Sequence, residues 1–177
     1  MSNERIAKLA KSLSSSAEYM RGQAMTMNAY LKTGKVNKFL EPIAAICEAL
    51  PDTASAFTST ANGTMYLFLE INQLEGFKTD KIESLLNLFE YLGPTRTSSE
   101  DVASRLTKMV SYNFSDVHTA EYGGKYYNCN VYIRITLTAK EESETCKRVV
   151  VGYTDPQEPQ PIYKIECADE APATTGE

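Results

Sequence analysis

His118, Asp116 and Cys129 are the side chains of this sequence whose types could do nucleophilic chemistry. Such chemistry needs a histidine within hydrogen-bond reach of a thiol, and an acid that orients the imidazole. His118 is the only histidine in the chain. If residues 111–120 and 125–139 pair as strands, Asp116 lies two positions from His118 on one strand face, and Cys129 lies across the hairpin. Cys129 nevertheless has the parity of the apolar positions of its strand, and no nucleophile elbow or oxyanion loop accompanies it. The expected role of His118 is a strand histidine making one hydrogen bond, and no catalytic residue is expected.

Cofactor chemistry finds no better footing. Neither "YGGKYY" nor "GYTDPQEPQP" has the glycine pattern or the lysine–hydroxyl pair of a phosphate loop, so Gly123-Gly124-Lys125 reads as a hairpin tip. Glu141, Glu142 and Glu144, and likewise Asp169 and Glu170, fall in a turn and a tail without the regular oxygen-rich loop that calcium requires. Cys47, Cys129, Cys146 and Cys167 are widely separated, with no ligand-like spacing, and are expected to be buried reduced thiols. No metal and no cofactor is expected.

Recognition remains. In "KYYNCNVYIRITLTAK" (125–140) the odd positions Tyr127, Cys129, Val131, Ile133, Ile135 and Leu137 form one apolar strand face, the expected core. The even positions Tyr126, Asn128, Asn130, Tyr132, Arg134 and Thr136 point the other way. Tyrosine and asparagine offer contact area and adaptable hydrogen bonds, and a central arginine has the character of an interface hot spot. Tyr112, Phe114 and Tyr122 would enlarge this surface if the register brings them alongside. The same residues, with Lys125, Arg148 and Lys164 on phosphates, would also suit a single-stranded RNA or DNA. A plainer reading makes the even face a wet sheet surface, or one covered by the N-terminal helix.

The elements that must position this face follow from periodicity. Residues 4–32 read as one long helix with Ile6, Ala10, Leu13, Ala17, Met20, Ala24, Met27 and Leu31 at near-heptad spacing, and with Gly22 as a place for a kink. The stripe packs either on the chain's own second helix (36–49) or on another subunit or a partner, with Ile6, Leu13, Met20, Met27 and Leu31 as the pairing residues. Asn62-Gly63 predicts a tight hairpin, followed by a strand carrying Met65, Leu67, Leu69 and Ile71 and lying in the packed interior. A helix is expected over 79–92. Another starts near Ser98, with Val102, Leu106, Met109 and Val110 inward. Strands over 111–120, 125–139, 145–154 and 161–167 then form an antiparallel meander, extended by the earlier hairpin.

The expected fold is thus α+β: an antiparallel hairpin sheet packed against two or three helices, with a long N-terminal helix. The organisation is a helical extension (1–34), an α+β domain (35–167) and a disordered tail (168–177). The chain has 177 residues, 42% of them hydrophobic, and a formal net charge of −5. That balance argues against affinity built on neutralising many phosphates. The opening residues mix acids with bases, so no export leader is expected, and no run of apolar residues is long enough for a membrane span. The functional expectation is a cytoplasmic (or host-cytoplasmic) non-enzymatic protein-interaction module: an adaptor, inhibitor or assembly factor, a viral accessory protein among the types that fit. It would bind a protein partner through the even face and self-associate through the helix. A single-stranded nucleic-acid binder is the alternative.

Overall fold

The computed structural model describes residues 3–74, 80–102, 106–139, 146–153 and 161–167. In chain order it contains α1 (Asn3–Lys32), α2 (Asn37–Ala49), β1 (Ala54–Ala61), β2 (Thr64–Leu74) and α3 (Asp80–Tyr91). These are followed by β3 (Arg96–Val102), β4 (Thr107–Tyr122), β5 (Lys125–Ala139), β6 (Cys146–Tyr153) and β7 (Pro161–Cys167). No helix among the described residues is long and apolar enough to cross a membrane. The expected tail, 168–177, lies outside the described residues.

Five strands form one sheet in the order β1-β2-β5-β4-β3, and β6 pairs with β7 in a second, two-stranded sheet. β5 is the central strand of the larger sheet. It runs antiparallel to β4 on one side and parallel to β2 on the other. This is an α+β fold with a mostly antiparallel sheet, in which the β2–β5 joint is the parallel exception.

Alternation builds the core. Met65, Leu67, Leu69 and Ile71 of β2, the odd residues Cys129 to Leu137 of β5, and Val110, Tyr112 and Phe114 of β4 are all buried. Against them pack Phe39, Ile43 and Ile46 of α2, Ile82, Leu85 and Phe89 of α3, and Met27 and Tyr30 of α1. All three helices therefore serve one face of the sheet. Each large apolar side chain moved out of water there contributes about 1.5–3 kcal/mol before entropy is counted.

The strand partners differ from the sequence expectation in two places. Residues 98–102 and 106–110 are not helical: they supply most of β3 and the start of β4, which pair in register from Arg96↔Asn113 to Val102↔Thr107. Val102, Leu106, Met109 and Val110 do have helical spacing. The threonine- and serine-rich run around them has weak helix propensity, however, and β4 gains a continuous ladder against β5. The expected four-strand meander is also divided, because β6 does not continue from β5. A strand has only two edges, and β2 occupies the second edge of β5 from Thr64↔Asn130 onward. In the β6–β7 pair the register sets Cys146 opposite Cys167.

α1 is a single uninterrupted helix, as long as the stripe predicts. Its packing is not onto α2. The helix lies against β4 and β5, and the buried part of it runs from Gly22 to Tyr30. Gly22 causes no break: a Cβ there would overlap the ring of Tyr127, so the glycine is where β5 seats against the helix. Tyr19 flanks the same ring at a centroid distance of 5.6 Å. One turn further on, Gln23 meets the β1–β2 hairpin, where Gly63 has φ +73° and a Cβ would lie 2.8 Å from the Gln23 amide. The Asn62-Gly63 turn is thus fixed both by its positive φ angles and by the helix laid over it.

Replacing Gly22 with valine gives a sign opposite to helix propensity. Propensity favours the change, yet overpacking against Tyr127 should destabilise the fold by about 1–3 kcal/mol. Urea unfolding of Gly22→Val measures this, and a midpoint at or above that of the parent would show that Tyr127 does not seat on this position.

Candidate functional site

His118 and Cys129 do face each other in the β4–β5 ladder, as the hairpin predicts. They meet on the helix-covered side. The ring of Tyr30 stacks over His118 with centroids 5.5 Å apart, and Cys129 is fully buried. Burial pushes the Cys129 thiol up to about 11, so the neutral thiol is strongly favoured over the nucleophilic thiolate. Tyr30 is raised as well, first by burial and then by the neighbouring Cys129. Asp116 is not on a regular strand face. The register shifts between Phe114 and His118, and Asp116 sits in that bulge with φ +52°, its backbone N–H donating to Asn130 Oδ1 at 2.8 Å. The bulge leaves Asp116 exposed.

The opposite face of the sheet carries none of the three helices. Cross-strand register lays its residues out in rows. One row is Ser59, Tyr66, Tyr132, Asn113 and Arg96; the next is Phe57, Phe68, Arg134, Ser111 and Ser98. A third is Ser55, Glu70, Thr136, Met109 and Glu100. Tyr132, Arg134 and Thr136 from β5 thus lie at the middle of a broad, half-buried surface.

An aromatic cluster occupies its centre. Phe57 stacks on Phe68 at 4.7 Å and 19°, Phe68 lies 6.2 Å from Tyr66, and Tyr66 meets Tyr132 at 5.5 Å. The guanidinium of Arg134 sits over Phe68, 4.8 Å from the ring centroid. Such a contact is worth roughly 0.5–2 kcal/mol, rising with desolvation. Tyr132 donates its hydroxyl proton to Ser111 Oγ at 2.9 Å, which fixes the ring. Beside this cluster is a depression of about 290 Å³ whose lining includes Tyr66, Asn113, Asn130 and Tyr132.

The six even residues of β5 do not act as one surface. Tyr126 and Asn128 lie on the two-stranded part of the β4–β5 hairpin, before β2 joins at Asn130. Tyr126 is roughly 26 Å from Arg134 by strand rise. Asn128 Oδ1 accepts from Thr119 Oγ1, and Asn130 holds the bulge through Asp116, so both amides have structural work. Tyr112 and Phe114 do not enlarge the face. They lie in the core, where Phe114 packs on Phe39 and the Tyr112 hydroxyl donates to Leu86 O at 3.3 Å. Tyr122 and Lys125 pair at the hairpin tip on the α1 side, lining a pocket with Glu18 and Arg21. The side chains of Arg148 and Lys164 lie outside the described residues.

Phe57, Tyr66 and Phe68 are the site residues that sequence reasoning missed. Tyr66 and Phe68 alternate with the core residues of their strand, which is a visible signal. Their neighbours on β5 are set only by a parallel pairing across some sixty residues of chain. Of the helix-pairing residues, Met27 is in the core at 8% exposure, whereas Ile6, Leu13, Met20 and Leu31 are exposed.

No family model matches this chain, and no curated protein or solved structure matches it.

The buried titratable groups set an alkaline limit. The folded state holds the Cys129 proton to about 11 and the Tyr112 proton to about 12, against ordinary values of 9.0 and 10.0. Burial is the main cause at both, with Glu90 adding to it at Tyr112. The unfolded chain loses these protons first, so the stability held by the neutral forms is complete below pH 9 and declines as pH rises through the folded values. Urea midpoints should be flat from pH 7 to 8.5 and then fall, with a shallower fall in Cys129→Ala. Equal slopes in the two proteins would remove the thiol from this account.

Proposed function

We propose that this chain is a non-enzymatic, cytoplasmic protein-interaction module, working by surface occupancy as an adaptor, inhibitor or assembly factor. A single observation carries the reading. The sheet face opposite the helices presents an ordered aromatic cluster around Arg134, with Phe57 49% exposed at its rim. Rigid aromatic area around an arginine is the composition of interface hot spots. The charges of the face favour a protein over a nucleic acid: Arg96 and Arg134 are balanced by Glu70 and Glu100. A phosphate chain gains nothing from that balance.

Self-association through α1 is the second part of the reading. Residues 4–21 are all exposed, and Leu9 and Leu13 are 62% and 72% accessible. This stretch is about 27 Å long and contains the poor helix former serine in "SLSSSA". Among the described residues none buries Ile6, Leu9, Leu13 or Met20, and most helical stability in proteins comes from tertiary packing of an apolar face. Pairing with a second copy would supply the missing burial.

Capture from the source cell by the full chain should identify a protein that is lost with Tyr66→Ala or Phe57→Ala and retained with Glu18→Gln. Binding of a labelled single-stranded oligonucleotide that weakens steeply with salt and vanishes in Tyr132→Ala with Arg134→Ala would instead establish the nucleic-acid reading. Light scattering addresses the helix: the parent should exceed monomer mass, and Leu13→Glu with Met20→Glu should return it to monomer. Equal monomeric masses for both would remove helix pairing.

A further inference from the structure

Arg134 is a cation held in position by the strands on either side of it. It sits mid-strand on β5, between Phe68 of β2 and Ser111 of β4, so its backbone is paired on both sides. Phe68 lies under the guanidinium, and Phe57 stacks on Phe68 in turn. Its Nε is sealed from solvent and has no hydrogen-bond partner. Among the described residues no carboxylate forms an ion pair with Arg134. Glu70 is the acid one cross-strand row along, opposite Thr136. Ser111, the polar neighbour on β4, already accepts from Tyr132.

A buried, unpaired charged donor is costly, and a native sheet that retains one leaves its hydrogen-bonding capacity unmet. The ring stack keeps the guanidinium flat and restricts its rotamers, which removes much of the ordering cost of binding. Arg134 as a whole is only half-buried, so part of its side chain is open to an acceptor arriving from outside. The group that complements a planar, fork-shaped donor is a carboxylate.

Resting on the reading of this face as a protein contact, we propose that Arg134 anchors an aspartate or glutamate of the partner, with an apolar partner side chain laid against Phe57 and Tyr66 beside it. A single carboxylate suits a face that already carries Glu70 and Glu100, because among the described residues Arg134 is the one cation unpaired at its centre. The rim aromatics supply the area that one ion pair lacks, and they exclude water from it.

A displayed library of random twelve-residue peptides, panned on the full chain, is the probe. Recovered peptides should share an Asp or Glu next to a large apolar residue. For one recovered peptide, Arg134→Gln and the peptide's acid-to-amide change should each weaken binding on the order of ten-fold or more, and the two together should cost no more than either alone. Arg134→Lys should also bind less tightly, since it keeps the charge and loses the flat fork. Unchanged thermal unfolding of the Lys variant separates this loss from misfolding. Peptides without an acid, or losses that add independently, overturn the anchor. If binding is lost with Phe57→Ala and Tyr66→Ala but is indifferent to Arg134→Gln, the face is a contact surface and the anchor is wrong. If no peptide is recovered, or none depends on Phe57, Tyr66 or Arg134, both the anchor and the face fail. A labelled fifteen-residue oligouridine bound through Arg134 in preference to any peptide also overturns the carboxylate assignment.

Discussion

The double pairing of β5 is the constraint on which the rest of the molecule depends. With β4 antiparallel on one edge and β2 parallel on the other, every residue from Val131 to Leu137 has fixed neighbours on both sides. Side chains alternate between faces, so a shift of one residue would carry Ile133 and Ile135 into solvent and Arg134 into the core. Burial of the odd face therefore locks the register, and the register places Arg134 on Phe68. The aromatic face is in this sense a by-product of the core.

The helices complete that lock from one side only. α2 and α3 cover the middle of the sheet, and the last third of α1 covers the β4–β5 hairpin, where a glycine allows Tyr127 to seat against the helix backbone. The two sheet edges are treated differently. β3 carries Arg96, Glu100 and Asp101, charges that discourage another strand from adding. β1 (ASAFTSTA) has no charge, and its residues from Ser55 to Ala61 are exposed. Its one large side chain, Phe57, is tied into the aromatic cluster and makes the edge part of the same surface.

Strong period-two alternation made β5, its core face and its polar face legible in the sequence, and the length of α1 followed from its near-heptad stripe. The failures have definite physical causes. Residues 98–110 have apolar spacing compatible with a helix, and the competing ladder with β5 is invisible without knowing that the two segments meet. Gly22 reads as a weak point in a helix when its neighbour is unknown, and as a necessity once Tyr127 lies against it. The hairpin sets His118 opposite Cys129 as the sequence implies, but the bulge takes Asp116 off their strand face and Tyr30 covers His118.

The amino-acid sequence by itself determined the fold class, most of the elements, and which residues of β5 point inward, because these depend on local periodicity and on turn chemistry. Only the tertiary structure decided that β2 pairs beside β5 and that the helices share one face. Those two facts turn Phe57, Tyr66, Phe68, Tyr132 and Arg134 into one surface. Contacts between residues far apart in the chain are set by the competition among strand edges, and that competition is settled by the whole core together.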